Sequence, residues 1–564
     1  MGSSVSHSEA ASKSSSSPTS TSTSLFDRAA ATADYGSGSN NINSSKDNTI
    51  NSERSSISRA SYASIEELEN ADLLFEEKQE KSKFNPNCIF ESSDIWRNDD
   101  TGGFASISDE ISNLLKNIVG SGGLSLPAGI AAYGNTPNAL LPALFVIIIM
   151  GLANAFSFSL LGRICAITKS HTYSMAWEKT ISRVHSPKYQ IFVDCVVFGK
   201  ALLGTWSFSI IIASTCTPLV RYVISSFNGS DRSSTHYDVS SEVVLITITV
   251  LILFPLCLSQ RLGSLSIFSA IGTLGTFVTI STMAIRYFDG TYTPEGSMNS
   301  IAGGSNGTIS YYDDLSIEQR PSFYNDGGTN STSEEEGAIS FFTSLKSLTL
   351  ISILSTGYVA HYNAPKYYYE LKDHTTGRFN IVITVGFMLA AITYTIVSSL
   401  GFLTFGQNSL GFILDNYSYR DPLATIARFG VAISVIFAYP LLFHGGRDGL
   451  LALLKPKQSS TSSATTPTVS QLESNVVTVV LLSFVTVLAI YVNNLTFVLS
   501  FSGATMSTLI IYIFPPIMFI SLVTNCCCHM NEETEREVKY AYLMMVIGGI
   551  LGIGGAYVSI ASIL

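Results

Sequence analysis

Residues 107–135, ISDEISNLLKNIVGSGGLSLPAGIAAYGN, carry the backbone groups best suited to ligand chemistry. Gly120-Ser121-Gly122-Gly123 lies between two short apolar stretches. Glycine is a poor helix former. Two half-helices are therefore expected, the first ending near Val119 and the second running from about Leu124 to Tyr133. Pro127 falls in the first turn of the second half, where a missing N–H costs little. Unwound backbone in hydrocarbon is tolerated only where it is buried in protein or lines a wet cavity. The N–H groups of Ser121, Gly122 and Gly123 would face a small anion such as a carboxylate. The carbonyls ending the first half would favour a cation. The competing reading is a glycine hinge or a close helix crossing.

A second interrupted stretch is LTLISILSTGYVAHYNAPKYYYELKD, residues 348–373. Ser355-Thr356-Gly357 is expected to interrupt it, and Pro365 to end it. Two interrupted segments at corresponding places in two halves point to a transporter's midplane site. Carbonyls near Ser355 and Thr356 would take an ammonium, opposite the carboxylate-binding N–H groups of the first break. That pairing suits an α-amino acid zwitterion. The counter-argument is that Gly and Pro are common in membrane helices anyway.

Ionisable residues inside apolar runs are functional candidates. They are Lys116, Asp194, Lys200 and His361. His361 could relay a proton or cap its span. Lys200 could be a snorkelling or internally paired lysine, and Asp194 an interfacial residue. Tyr367, Tyr368 and Tyr369 read as an interface belt. No Ser-His-Asp set, zinc motif or phosphate loop stands out, so an enzyme is not expected, and neither is a cofactor.

The elements that position these groups follow from composition. Of 564 residues, 46% are hydrophobic and only 13% charged, against about 25% charged in soluble domains. Repeated apolar runs of about 20 residues make this an all-α polytopic membrane protein, embedded in a lipid bilayer. Eleven spans are expected: the broken segment, then about 138–164, 189–223, 241–258, 264–287, 341–362, 380–403, 422–443, 475–492, 503–523 and 542–564. Lys and Arg are concentrated in one set of loops, including Lys169, Lys179, Arg261, Lys366, Lys372, Arg447 and Lys539. This bias places the N-terminus in the cytosol. The glycosylation patterns at Asn228, Asn306, Asn330 and Asn416 fall on the opposite side. There the loop Phe288–Gly337, polar and Gly-rich, is expected to be mobile. The Ser/Thr-rich loop from Lys457 to Ser474 reads as a cytosolic linker.

Residues 1–104 form a Ser-, Thr- and Asn-rich tail with no apolar periodicity, expected to be disordered. It holds a weak myristoylation pattern at Gly2 and Ser6. Glu69-Asn-Ala-Asp72-Leu73-Leu74 resembles an acidic dileucine sorting signal for cytosolic sorting machinery. That signal tilts the expectation toward a vacuolar or endolysosomal membrane over the plasma membrane. Cys526-Cys527-Cys528 could be palmitoylated or be filler. There is no basic patch, so nucleic acid is not an expected partner.

Several motifs resemble the amino acid/auxin permease family. Asn113-Leu-Leu-Lys116-Asn-Ile-Val-Gly120-Ser-Gly122 with Leu124-Ser-Leu126-Pro127 is similar to its first-span signature. His361-Tyr-Asn-Ala-Pro365-Lys-Tyr-Tyr-Tyr-Glu370 is similar to its sixth-span ending, and Gly401-Phe-Leu-Thr-Phe405-Gly406 to its seventh. Tyr439-Pro440 with Arg447-Asp448 is similar to its eighth. The resemblance covers residues 105–564. It implies a leucine-transporter-like 5+5 inverted repeat with helices 1 and 6 broken, and cation-coupled transport of small neutral amino acids. Sodium-coupled members tend to carry Asn four residues before the first break glycine. This chain has Lys116 there, as the proton-coupled branch does, so H+ is favoured over Na+. The alternatives are a sodium-coupled transporter and an amino acid sensor signalling through its tail.

Overall fold

The computed structural model describes residues 103–134, 137–182, 188–227, 239–259, 266–294, 310–324, 344–454, 471–525 and 532–564. Residues 1–102 of the tail with its sorting and lipidation motifs, Cys526–Cys528, the linker 457–470 and the acceptors Asn228, Asn306 and Asn330 lie outside them.

The described chain is nearly all helix. The first segment is α1 (Ile107–Ile118) followed by α2 (Leu126–Ala131). Then come α3 (Leu140–Thr168), α4 (Lys188–Phe227), α5 (Ser241–Leu258) and α6 (Ser266–Phe288). The next segment is again split, into α7 (Ser347–Tyr358) and α8 (Ala364–Glu370). It is followed by α9 (Thr376–Phe405), α10 (Pro422–Leu454), α11 (Gln471–Tyr491), α12 (Leu495–Asn525) and α13 (Glu532–Ala561). Eight helices among the described residues are long and apolar enough to cross a membrane. The two split segments and α6 are not among those eight.

The split segments sit in the middle of the packing. α1 and α2 pack on α9, and α7 packs on α2, α12 and α13. Two further pairs, α3 with α9 and α4 with α10, flank them. The α7–α12 crossing is backbone-close: a Cβ on Gly503 would collide with the Ser352 carbonyl. Small residues allow such approach between membrane helices.

Several boundaries differ from expectation. α12 begins at Leu495, because Asn494 caps it through its side chain on the Phe497 N–H (3.1 Å). α13 begins at Glu532, ten residues before the apolar run. Its first turns are amphipathic and are pinned by the Arg163–Glu537 ion pair (2.6 Å). Residues 310–324, a described part of the 288–337 loop, are anchored. Gln319 Nε2 donates to Asp415 O (2.6 Å), Asn408 Nδ2 to Arg320 O (2.9 Å), and Arg420 pairs with Asp314 (3.0 Å). The expectation of a mobile loop does not hold for these residues, whose polar groups are taken up in bonds; the rest of the loop lies outside the described residues. Asn416 is fully buried, with its amide donating to Asn408 O (2.7 Å) and accepting from Leu410 N (2.8 Å). In this fold it is not a glycan acceptor.

Candidate functional site

The first break matches its expected place. α1 ends at Ile118, Gly120 is extended, and a 3-10 turn, Ser121–Ser125, leads into α2 with Pro127 at its start. The first N–H groups of any helix lack intrahelical acceptors. Those of Ser121 and Gly122 are in that position. The Gly123 N–H is not, since it donates to Gly120 O (3.1 Å), so the expected three-donor cradle is reduced to two. Among the described residues the space beside Gly120 and Gly122 is open, with nothing within 4 Å of where a Cβ would stand.

The second break is displaced from its expected place. Ser355, Thr356 and Gly357 do not interrupt the helix; they form the last turn of α7, and the chain leaves helical geometry at Val359 and Ala360. A lone glycine is tolerated inside a packed helix, and here α7 is held by α12: Thr356 Oγ1 donates to Leu499 O (2.7 Å). The last four carbonyls of an α-helix lack intrahelical donors, which returns Ser355, Thr356 and Gly357 to the break through their C=O groups. A 3-10 turn, His361–Asn363, then leads into α8 with Pro365 at its start. Pro365 therefore opens the second half-helix rather than ending the segment. The two breaks share one plan of helix, 3-10 turn, proline, helix.

Tyr394 of α9 joins the two breaks. Its hydroxyl reaches the Ile118 carbonyl (2.8 Å) and the Gly357 carbonyl (3.0 Å). One O–H is shared between the carbonyl ends of α1 and α7. The ring fills the space beside Gly123, where a Cβ would lie 2.7 Å from it. Sequence reasoning missed Tyr394, because a tyrosine inside an apolar span carries no periodic or motif signal.

His361 is fully buried at the second break, edge-on to Phe158 (5.2 Å). A carbonyl only accepts, so Nε2–H donates to Asn154 O (3.2 Å). Nδ1 has no partner among the described residues. Lys116 lies half-buried in the last turn of α1 and makes no ion pair among the described residues. Lys200 is buried and donates to Ser502 Oγ on α12 (3.0 Å). Asp194, near the start of α4, accepts from Ser174 Oγ. Tyr367 and Tyr368 are buried rather than interfacial. Tyr368 packs edge-on to Phe379 (5.3 Å), while the Tyr369 hydroxyl donates to Cys165 O (3.1 Å). α8 is short and packs against α3 and α1, so its aromatic face is turned into protein.

On the far side from the start of α1, the α9–α10 connection folds over the first break. Its 3-10 turn Ile413–Asn416 packs on residues 121–125. Buried Arg428 holds this connection by donating to the carbonyls of Leu414 (2.7 Å), Tyr417 (2.6 Å) and Ser418 (3.1 Å). A cavity of about 990 Å³ lies at this end, lined by Ser214, Arg221, Glu242, Asp314, Asp415 and Arg428 among others.

The carbonyl ends of two split helices thus meet at one buried hydroxyl inside apolar protein. Residues 105–561 match the model of the family described as "Transmembrane amino acid transporter protein". The chain belongs to that family. It is a multi-pass membrane protein. A putative sodium-coupled neutral amino acid transporter 11 of Danio rerio is 22% identical over 82% of this chain and 89% of its own. Vacuolar amino acid transporter 5 of Saccharomyces cerevisiae is 22% identical over 79% and 96%. Amino acid transporter AVT6E of Arabidopsis thaliana is 22% identical over 81% and 84%.

Proposed function

We propose that the chain is a secondary active transporter of small neutral amino acids, driven by protons and working by alternating access. The observation that carries this reading is the pair of breaks joined by Tyr394. The substrate carboxylate sits at the Ser121 and Gly122 N–H groups, and its ammonium at the carbonyls of Ser355, Thr356 and Gly357. Helix-end N–H groups favour an anion and helix-end carbonyls a cation. Ammonium supplies three donors where Tyr394 supplies one. A vacuolar or endolysosomal membrane fits the name of the yeast relative and the dileucine-like run in the tail.

Proton coupling draws support from Lys116. It stands where a sodium ion would meet a like charge in a low-dielectric setting. A sodium-coupled reading draws support from the name of the Danio rerio relative. Purified protein in proteoliposomes separates the two. Uptake of labelled amino acids under an imposed pH gradient, without sodium, is the expected result. Uptake that requires sodium at fixed pH would overturn the proton reading. Binding without any uptake or exchange would overturn transport in favour of a sensor.

A further inference from the structure

At the end where α1 begins, the chain is clipped to the end of α8. Phe104 N and Ala105 N both donate to Glu370 O (3.0 and 2.9 Å), and Lys372 N donates to Ala105 O (2.8 Å). These bonds make a one-residue parallel bridge between Ala105 and Leu371. Glu110, one turn into α1, is fully buried beneath this clip. Neither of its carboxyl oxygens makes a hydrogen bond of normal geometry among the described residues; the nearest polar group is the Asn113 amide of its own helix, a neutral donor that leaves the charge uncompensated. The transport site described above makes no use of it.

The groups around Glu110 do not neutralise it. From α8 it faces Glu370, Lys366 and the buried, neutral Tyr367, and from its own helix Asp109 and Asn113. Lys366 is spent on Glu370 at 3.9 Å, on the exposed face of α8. The one charged side chain of α9, on which α1 packs, is Arg378, and it forms no pair with Glu110. Burying an unpaired carboxylate is costly, and a carboxyl in that setting is accommodated as the neutral acid. When the proton leaves, the new charge faces Glu370, and like charges in a poorly hydrated site repel. Glu110 is fully buried, so hydrating its charge requires this end of α1 to open, and moving α1 off α8 breaks the three backbone bonds of the clip.

We propose that Glu110 is a proton-binding site of the transporter, and that its protonation holds α1 clipped to α8. The proton is released to water on the tail side as Glu110 becomes a carboxylate and the clip opens. Proton binding and closure of this end are then linked, each favouring the other. Glu110 is in this role a coupling group, and the role rests on the proton-driven reading above.

Two measurements on the full-length protein test it. In proteoliposomes, the ratio of initial uptake with an inward proton gradient to uptake without one is compared between wild type and Glu110→Gln. The amide mimics the neutral acid and holds no exchangeable charge. The expected result is stimulation in wild type and its loss in the variant. Stimulation of wild-type size in Glu110→Gln would overturn the proposal. Separately, spin labels at the exposed positions Ser108 and Lys372 report the clip, in a background with the native cysteines replaced by serine. Their distance is expected to lengthen as pH rises in wild type, and to stay short at every pH in Glu110→Gln. An unchanged response in the variant, or none in wild type, would overturn the proposal. If wild-type uptake ignores protons, the proton-driven reading fails, and the label distances still decide the linkage. Should Glu110→Gln not fold, Glu110→Met, of similar length and suited to a buried unpaired position, replaces it in both measurements.

Discussion

Tyr394 is the residue on which both breaks depend. Removing its hydroxyl in Tyr394→Phe leaves the Ile118 and Gly357 carbonyls without their shared donor. Leaving a buried polar group unsatisfied costs about 1–3 kcal/mol. Tyr394→Phe is expected to lower thermal stability by that order and to slow transport severely, read by a melting curve and by uptake on one preparation. The glycines beside it separate packing from binding. Gly122→Val enters open space, so it is expected to fold with a wild-type melting point and to lose amino acid binding. Gly123→Val strikes the Tyr394 ring and is expected to lower the melting point as well. Wild-type binding by a well-folded Gly122→Val would remove this residue from the site.

At the scale of elements, the α9–α10 connection carries the measurable electrostatics. Asp421 is fully buried at the start of α10 and takes two bonds from Arg286 of α6 (2.9 and 2.7 Å) and one from the Tyr292 hydroxyl (2.9 Å). Breaking a buried ion pair from one side costs about 3–5 kcal/mol. Asp421→Ala should therefore unfold well below wild type, most visibly through protease cleavage of this connection. Asp415, in the same connection, behaves differently. Burial pushes its carboxyl up to about 6, against the opposing pull of Arg428 and a bond from Ser214. A carboxyl whose folded value is raised favours the fold most in acid, below its unfolded value. That contribution is lost as pH rises through about 6. The melting point is thus expected to gain an Asp415-dependent increment on acidification from pH 7 to pH 4. Asp415→Asn should remove that increment; a pH profile identical to wild type would refute the assignment.

At the scale of the molecule, the two ends of the packed helices are chemically distinct. One carries the clip between residues 104–105 and 370–372; the other carries the Arg428-held connection and residues 310–324. From the Lys and Arg bias the first end is expected to face the cytosol. A cysteine introduced at the exposed Glu318 is expected to react with an impermeant reagent only from the side opposite the tail. Reaction from the cytosolic side alone would invert the topology.

The membrane class, the two interrupted segments and the family were legible in the sequence. Apolar runs, glycine clusters and short motifs are local properties, set by solvent transfer and backbone preference. The first break fell where Gly120-Ser121-Gly122-Gly123 forbade a continuous helix. The second did not fall at Ser355-Thr356-Gly357, because one glycine is a weak signal and contacts from α12 hold that turn helical. Tyr394 and Glu110 became visible only when α9 and α8 were brought against α1. Their roles come from what surrounds them across the fold, and no spacing along the chain records that. The same holds for the buried tyrosines of α8 and for Asn416. Whether a polar side chain faces lipid, water or protein is decided by packing between elements distant in sequence.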